Sequence, residues 1–301
     1  MGQVTTVSGD TPLWRKIVDF PLVAMLIAVA LVYVGLSLGY GLAVATPSLP
    51  SFTFEMKFEL ITVPILILLY ELVIRRLGQF PRDDYRDPRA VRRFLIGGAA
   101  GFLVFSLAVA IAAAMGVYWI TGEGDASALL KAFVTSALFP AVTEELIFRG
   151  ILFRWIEAFG GSWAALLLTS ALFGAAHLHN PDASAVAAVG IAFEAGVMLG
   201  AAYMLTRSLW LPMGLHAAWN FTQGEIYDIP VSGTPVHGLL IARLSGPPLL
   251  TGNGFGLEAS LIAILVATLF GLWLLWLAIR KGELMKPWWV RRRIARSAAS
   301  K

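Results

Sequence analysis

The amino-acid sequence predicts an all-α, polytopic membrane protein with about eight transmembrane helices. Hydrophobic residues make up 58% of its 301 residues, charged residues make up only 14%, and the mean hydropathy is +0.75. Soluble domains carry about a quarter charged residues, and a compact fold has no interior large enough for this apolar excess. We therefore expect an integral, multi-pass protein whose solvent is the lipid bilayer of a cell inner or plasma membrane.

Long apolar runs give the predicted helices in order. Four spans are near or above the ~20 residues that a bilayer core requires, and they cover residues 20–45, 94–120, 185–206 and 257–279. Four weaker segments are shorter or interrupted by polar residues, and they cover 58–74, 128–159, 163–178 and 209–222. Polar groups are tolerated at membrane depth where they face protein or a watery cavity, so these segments are also predicted to span.

The first span follows Arg15 and Lys16 and ends in an Ala43-Val44-Ala45 sequence, as a cleaved signal peptide does. The span is longer than a signal peptide's apolar region, and we interpret it as a retained anchor. The chain has no cysteine, which excludes disulfides, thiolate catalysis and thiolate metal sites.

Basic residues predict the orientation. They concentrate at 15–16, 75–93, 207 and 280–296, whereas the opposite loops hold few, such as Lys57 in the region of 47–57. The positive-inside rule then places both termini in the cytoplasm, in agreement with an even number of spans. The cluster Trp288, Trp289, Arg291–Arg293 and Arg296 could bind nucleic acid, but a belt at the membrane interface is favoured, and no nucleic-acid partner is predicted.

Polar residues inside spans are costly, and in this chain they concentrate between Thr143 and Asn220. In the first group, Glu145 and Arg149 are four residues apart on one helical face, in the favourable order for an ion pair. Glu144 lies about 100° around the helix from Glu145 and has no such partner. The alternative is an ordinary helix end with mixed charges.

Two further groups carry histidines. Phe173 and His177 share a helical face, and His216 and Asn220 lie one turn apart on another helix. Taken alone, each histidine could equally form a structural hydrogen bond between helices.

Depth along the helices links the three groups. If a turn at 159–162 joins two antiparallel helices, Glu144 and His177 both lie roughly 20 Å from that end, while His216 and Asn220 lie roughly 10 and 16 Å from it. One carboxylate, two imidazoles and one carboxamide are thus predicted to converge in a conical polar cavity in the core. We expect this cavity to open toward the cytoplasm.

These groups, in this order, resemble the CPBP family of CAAX proteases and bacteriocin-processing enzymes, also called type II CAAX prenyl endopeptidase-like or Abi proteins. The matching motifs are Glu144-Glu145-x-x-x-Arg149, Phe173-x-x-x-His177 and His216-x-x-x-Asn220, within 128–223. The sequence Phe193-x-x-Gly196-x-x-x-Gly200 is similar to the family's small-residue helix, although Glu194 is an additional carboxylate without an assigned place. The resemblance implies an intramembrane endopeptidase with an eight-helix fold, which acts on a membrane-associated peptide or protein.

The chemistry of the residues agrees with that implication. Peptide hydrolysis needs a base for water and donors for the oxyanion. We expect Glu144 to be the base, His177 to hold the water, and His216 and Asn220 to donate to the oxyanion. Glu145 and Arg149 would fix the helix and the orientation of Glu144, and Phe173 would form one wall of the site. No serine has a nucleophile-elbow context.

Zinc is the one candidate cofactor, and the sequence leaves it open. Glu144, His177 and His216 form the two-histidine-plus-carboxylate set of a catalytic zinc site, but the H-E-x-x-H spacing is absent. The family is described with both a metal-dependent and a metal-free mechanism.

The predicted organisation has three parts. Residues 1–126 form N-terminal helices with a basic cytoplasmic loop, residues 127–223 form the CPBP-like catalytic core, and residues 224–301 form an external loop, the last span and a basic tail. The alternative function is a non-enzymatic membrane protein, either a transporter or a bacteriocin-immunity or scaffold protein. A transporter favours repeated halves, whereas here the polar cluster lies in one half only.

Overall fold

The computed structural model of the protein describes residues 12–47, 53–78 and 82–300. It is 75% helical, with one two-stranded sheet, which confirms the all-α polytopic prediction. Within the described residues, five helices are long and apolar enough to cross a membrane, and the count of eight stays a prediction. Residues 48–52 of the predicted outer loop lie outside the described residues.

The helices follow the predicted segments with shifted ends. In chain order they are α1 (Leu13–Val18), α2 (Pro21–Ala45), α3 (Phe54–Leu72), α4 (Ala90–Ala114), α5 (129–160), α6 (162–176), α7 (Ala185–Thr206), α8 (Trp210–Phe221), α9 (Leu261–Arg280) and α10 (Trp288–Ala299). Short helical turns cover Ile74–Arg76, His177–His179, Thr222–Ile226, Pro248–Thr251, Asn253–Phe255 and Leu257–Ala259. The strands are β1 (Tyr118–Glu123) and β2 (Leu240–Leu244).

Helices α5 and α6 form one helical stretch that bends at Gly161, within the predicted turn. Gly161 has φ +83°, a conformation that favours glycine, and a Cβ there would lie 2.8 Å from the carbonyl oxygen of Met285. The Ser162 backbone N–H donates to that same oxygen over 3.0 Å, and the Ser162 hydroxyl donates to Glu157 over 2.6 Å. These contacts hold the bend against the segment that precedes α10.

Two π-helical stretches interrupt α5. They cover Phe133–Leu138 and Leu146–Phe153, on either side of the α-helical turn pair Phe139–Glu145. Pro140 lacks the N–H that would close an ordinary α-helical turn onto residue 136, which favours the wider turn before it. Such π stretches occur frequently at functional sites, and here they lie on either side of the segment that carries the glutamate pair.

Helix α8 packs closely on α4 through glycines of both helices. A Cβ at Gly97 or Gly101 would collide with the carbonyl oxygen of Leu211 or Leu215, and a Cβ at Gly214 would collide with Phe94. These three positions let the two backbones approach, as small residues do between membrane helices. The helix that carries the third motif is thereby fixed.

The prediction of a helix up to residue 120 is wrong beyond Ala114. Tyr118–Glu123 forms a strand that pairs antiparallel with Leu240–Leu244, inside the stretch predicted as an external loop. The sequence Tyr-Trp-Ile-Thr combines aromatic and β-branched residues, which fit a strand. Apolar content alone does not distinguish such a strand from the end of a helix.

Candidate active site

Each of the three motifs contributes at least one side chain to the lining of one cavity of about 420 Å³. Glu144 comes from α5, His177 follows α6, and His216 and Asn220 come from α8. The structure therefore brings together the four side chains that the depth of the helices predicts to converge.

The cavity lies at the end of the bundle opposite to the one predicted. Five residues of the predicted external loop line it, namely residues 231–232 and 234–236. Thr53 and Glu55 at the start of α3 and Lys131 at the start of α5 also line it. A cavity at this end is inconsistent with one that opens toward the cytoplasm if the basic end of the helices is cytoplasmic, as predicted. The depth of the helices was counted from one end only, while α6 ends at Ala176 and leaves His177 near the other end.

Glu145 and Arg149 form the buried ion pair that their spacing predicts. Arg149 Nη1 lies 2.7 Å from Glu145 Oε1, and both side chains are at most 1% exposed. Arg149 Nη2 also donates to the backbone oxygens of Ala195 and Gly196 on α7, and its guanidinium lies 4.8 Å from the centre of the Phe173 ring on α6. One arginine thus connects α5, α6 and α7 behind the cavity.

The same carboxylate also holds His216, a contact that sequence reasoning missed. Glu145 Oε1 lies 3.1 Å from His216 Nδ1, and His216 Nε2 lies 4.0 Å from Glu144 Oε2. Glu145 therefore orients the imidazole so that its other nitrogen faces Glu144. Since the two residues are 71 positions apart, no local spacing could have revealed the contact.

Glu144 is the accessible member of the glutamate pair. Its side chain is 31% exposed, whereas Glu145 is fully buried. Within the described residues, Glu144 Oε2 has no hydrogen-bond partner. The pair thus contains one carboxylate engaged in structure and one that is available to a bound molecule.

His177 is oriented by its own helix. Its Nδ1 lies 2.8 Å from the backbone oxygen of Phe173, and because a carbonyl only accepts, Nδ1 is the donor. In the neutral imidazole, Nε2 is then an acceptor. The Phe173 ring lies 4.9 Å from the His177 ring and 6.1 Å from the His216 ring, centre to centre, so it fills the space behind both histidines.

Asn220 lies one turn beyond His216 on α8. Its Nδ2 donates to the backbone oxygen of Ser136 over 3.4 Å, in the first π-helical stretch of α5. This contact connects α8 to α5 across the cavity and leaves one N–H of the carboxamide for another acceptor.

The additional carboxylate, Glu194, lies behind the histidines. It is 1% exposed, and neither of its carboxylate oxygens has a hydrogen-bond partner in the described part of the chain. With Glu258, which sequence reasoning missed, it lines a small cavity of about 20 Å³ that His177 and His216 also border. That volume is sufficient for a single water molecule. Glu258 accepts a hydrogen bond from the Ser232 backbone N–H.

The small-residue sequence in the same helix packs against α6. A Cβ at Gly196 would lie 2.7 Å from Ser170, and one at Gly200 would lie 2.7 Å from Leu166. Phe193 is 55% exposed and lies on the outer surface.

The zinc ligands considered from the sequence do not form a metal centre here. Among residues 12–47, 53–78 and 82–300, no three histidine, aspartate or glutamate side chains are grouped so that they could hold one ion. Glu144 faces His216, but His177 does not complete the set. The donor arrangement therefore does not fit a two-histidine-plus-carboxylate site.

The helices and the cavity define an integral membrane protein with a polar site enclosed in an apolar bundle. Residues 126–222 match the family described as type II CAAX prenyl endopeptidase Rce1-like, so this segment is similar to CAAX-type intramembrane proteases. The match covers about a third of the chain and includes all three motifs. Comparisons with curated proteins and with solved structures each gave no match.

Proposed function

We propose that the protein is an intramembrane endopeptidase that uses Glu144 to activate water. The observation that carries this proposal is the position of Glu144 Oε2. Within the described residues it has no hydrogen-bond partner, and it lies 4.0 Å from His216 Nε2 in a cavity that His177 and Asn220 also line. A carboxylate with imidazole and carboxamide donors around one space is suited to peptide hydrolysis.

In the proposed reaction, Glu144 accepts a proton from water, and the resulting hydroxide adds to the peptide carbonyl carbon. Nε2 of protonated His216 and Nδ2 of Asn220 donate hydrogen bonds to the oxyanion of the tetrahedral intermediate. When the C–N bond breaks, the proton held by Glu144 moves to the leaving nitrogen. The products are a new carboxyl terminus and a new amine.

His177 is proposed to hold the attacking water. Its Nδ1 is engaged by the Phe173 carbonyl, which leaves Nε2 to accept a hydrogen from that water. Glu145, Arg149 and Phe173 act as positioning residues. Glu145 sets the imidazole of His216, while Arg149 neutralises Glu145 and ties it to α7.

We also propose an orientation of the protein in the membrane. The basic residues at 75–93, 207 and 280–296 lie at the end of the bundle remote from the cavity, so the positive-inside rule places both termini in the cytoplasm of a plasma-membrane protein. The cavity then faces the outer side of the membrane. We further propose that residues 127–223 form the catalytic unit, with 1–126 and 224–301 around it.

The substrate is proposed to be a membrane-associated peptide or protein cleaved close to the outer membrane surface. An exported peptide with a leader would reach the cavity directly, whereas a prenylated C-terminus made in the cytoplasm would have to cross the bilayer. The placement of the cavity therefore favours peptide maturation over cleavage of a prenylated protein.

Comparative proteomics of membrane-protein termini tests the function and identifies the substrate. Cells carrying the parent protein are compared with cells carrying Glu144→Ala, with both proteins at equal abundance. We expect at least one new terminus that is present only with the parent. Identical sets of termini in the two strains would contradict the proposed activity.

Removal of metal ions is expected to leave cleavage unchanged, because the proposed steps use only side chains and water. The purified protein is dialysed against a chelator, its zinc content is measured, and cleavage of the identified peptide is compared before and after. Loss of activity that returns with added zinc would show that a metal ion takes part.

A further inference from the structure

Another cavity lies at the basic end of the bundle, remote from the candidate active site. Its volume is about 250 Å³, and it lies between the start of α2, the part of α5 around Trp155, and the start of α10. Three arginines border it, namely Arg82, Arg154 and Arg291. The proposed protease mechanism uses none of these residues.

Two of the arginines have buried N–H groups without acceptors. Arg154 is 3% exposed, and its Nη2 donates to the backbone oxygens of Arg75 and Leu77, but its Nη1 has no partner within the described residues. Arg291 donates from Nη2 to the Ala158 backbone oxygen, while its Nε is buried and lacks a partner in the same part of the chain. A buried charged donor without an acceptor is costly.

The carboxylates near the cavity do not compensate these charges. Asp19 borders it and pairs with Arg15 at 2.8 Å. Arg82 is paired, since it lies 3.4 Å from Asp84 and 3.5 Å from Glu157, and Glu157 lies 2.7 Å from Arg207. Within the described residues, no carboxylate forms an ion pair with Arg154 or Arg291, and these two cations suit an anion in the cavity that they border.

The walls of the cavity are apolar and aromatic, with Trp155 and Trp288 as the largest side chains. Trp288 begins α10, a helix with no buried residue, in which Trp289 is 53% exposed among several arginines. Helix α1 on the other side exposes Trp14 beside Arg15 and Lys16. Short helices with exposed tryptophan and basic residues lie in the membrane interface, so the cavity is at the level of lipid headgroups.

We infer that this cavity binds the phosphate group of an anionic glycerophospholipid. The phosphate pairs with the guanidinium groups of Arg154 and Arg291, which border the cavity, and the tryptophans contact the glycerol region and the first part of the acyl chains. Basic pockets between helices at the cytoplasmic surface bind anionic headgroups in this way. The bound lipid joins α10 to α2 and α5.

Native mass spectrometry of the full chain in detergent tests this site with phosphatidylglycerol and, for comparison, phosphatidylcholine. We expect the parent to retain phosphatidylglycerol preferentially. Arg291→Gln should weaken that retention about tenfold, as expected for the loss of a charge-assisted hydrogen bond. Arg293→Gln is the matched control, because it removes the same charge from the same helix but from a residue that does not border the cavity.

Arg154→Gln should lower the retention of phosphatidylglycerol to a similar or greater extent than Arg291→Gln. A melting curve shows whether the Arg154→Gln protein is folded. Arg291→Gln remains informative in either case, because Arg291 lies on α10, a helix without buried residues. Equal retention of the two lipids, or equal loss in Arg291→Gln and Arg293→Gln, would overturn the inference. Displacement of the lipid by millimolar inorganic phosphate would instead assign the cavity to a soluble anion and overturn the lipid assignment.

Discussion

Glu144→Gln is expected to lower cleavage by about 10²- to 10⁴-fold, the range contributed by a general base. Glutamine keeps the size of the side chain but cannot accept a proton from water. Because Glu144 is 31% exposed and its Oε2 makes no hydrogen bond within the described residues, the fold should be unchanged. The measurement is the initial rate of cleavage of a co-reconstituted substrate, with a melting curve of each protein.

His179→Ala is the control for this experiment. His179 is exposed and lies only two residues from His177, but it does not border the cavity. Its replacement should leave the rate within about twofold of the parent, because surface substitutions have small effects. A Glu144→Gln protein as active as the parent would remove Glu144 from the mechanism.

Arg149→Ala is expected to lower the free energy of unfolding by about 3–5 kcal/mol, as the loss of one partner of a buried ion pair does. The substitution leaves the fully buried Glu145 without its cation and removes the contacts to Ala195 and Gly196. Denaturant unfolding in detergent measures the change. Arg243→Ala removes an exposed arginine and should have little effect.

A double variant separates the structural role of this pair from its role in the site. Glu145→Met combined with Arg149→Met removes both charges, so its stability should recover above that of Arg149→Ala. Cleavage should stay low, because His216 loses the carboxylate that holds its Nδ1. Parent-like cleavage in the double variant would show that Glu145 does not position His216.

Spacing along the chain was sufficient to predict the contacts and the bend that involve residues close to each other in sequence. The Glu145–Arg149 pair follows from a four-residue separation, and the bend at Gly161 follows from adjacent glycines between two apolar runs. Long apolar runs also placed the main helices. The convergence of Glu144 and His177 was predictable because two antiparallel helices joined by a short turn place residues at equal distances from that turn at the same depth in the membrane.

Contacts between distant segments could not be predicted in this way. The bond from Glu145 to His216 and the burial of Glu194 beside Glu258 depend on how separate helices pack. The strand pair formed by Tyr118–Glu123 and Leu240–Leu244 depends on two segments more than a hundred residues apart. The end at which the cavity opens depends on where the loop at 231–236 folds back.

The sheet of β1 and β2 and the loop at 231–236 lie at the same end of the bundle as the cavity. Within this loop, Val231 and Thr234 form a β-bridge with each other. The Ser232 backbone N–H donates to Glu258, just before the last long helix, so the loop is held by contacts of its own and by one to that helix. The cavity of about 420 Å³ is far too small for a folded domain and has room only for a short extended stretch of polypeptide. The proposed hydrolysis would therefore be restricted to unfolded tails and linkers near the bilayer, and compact neighbouring proteins would not be cleaved.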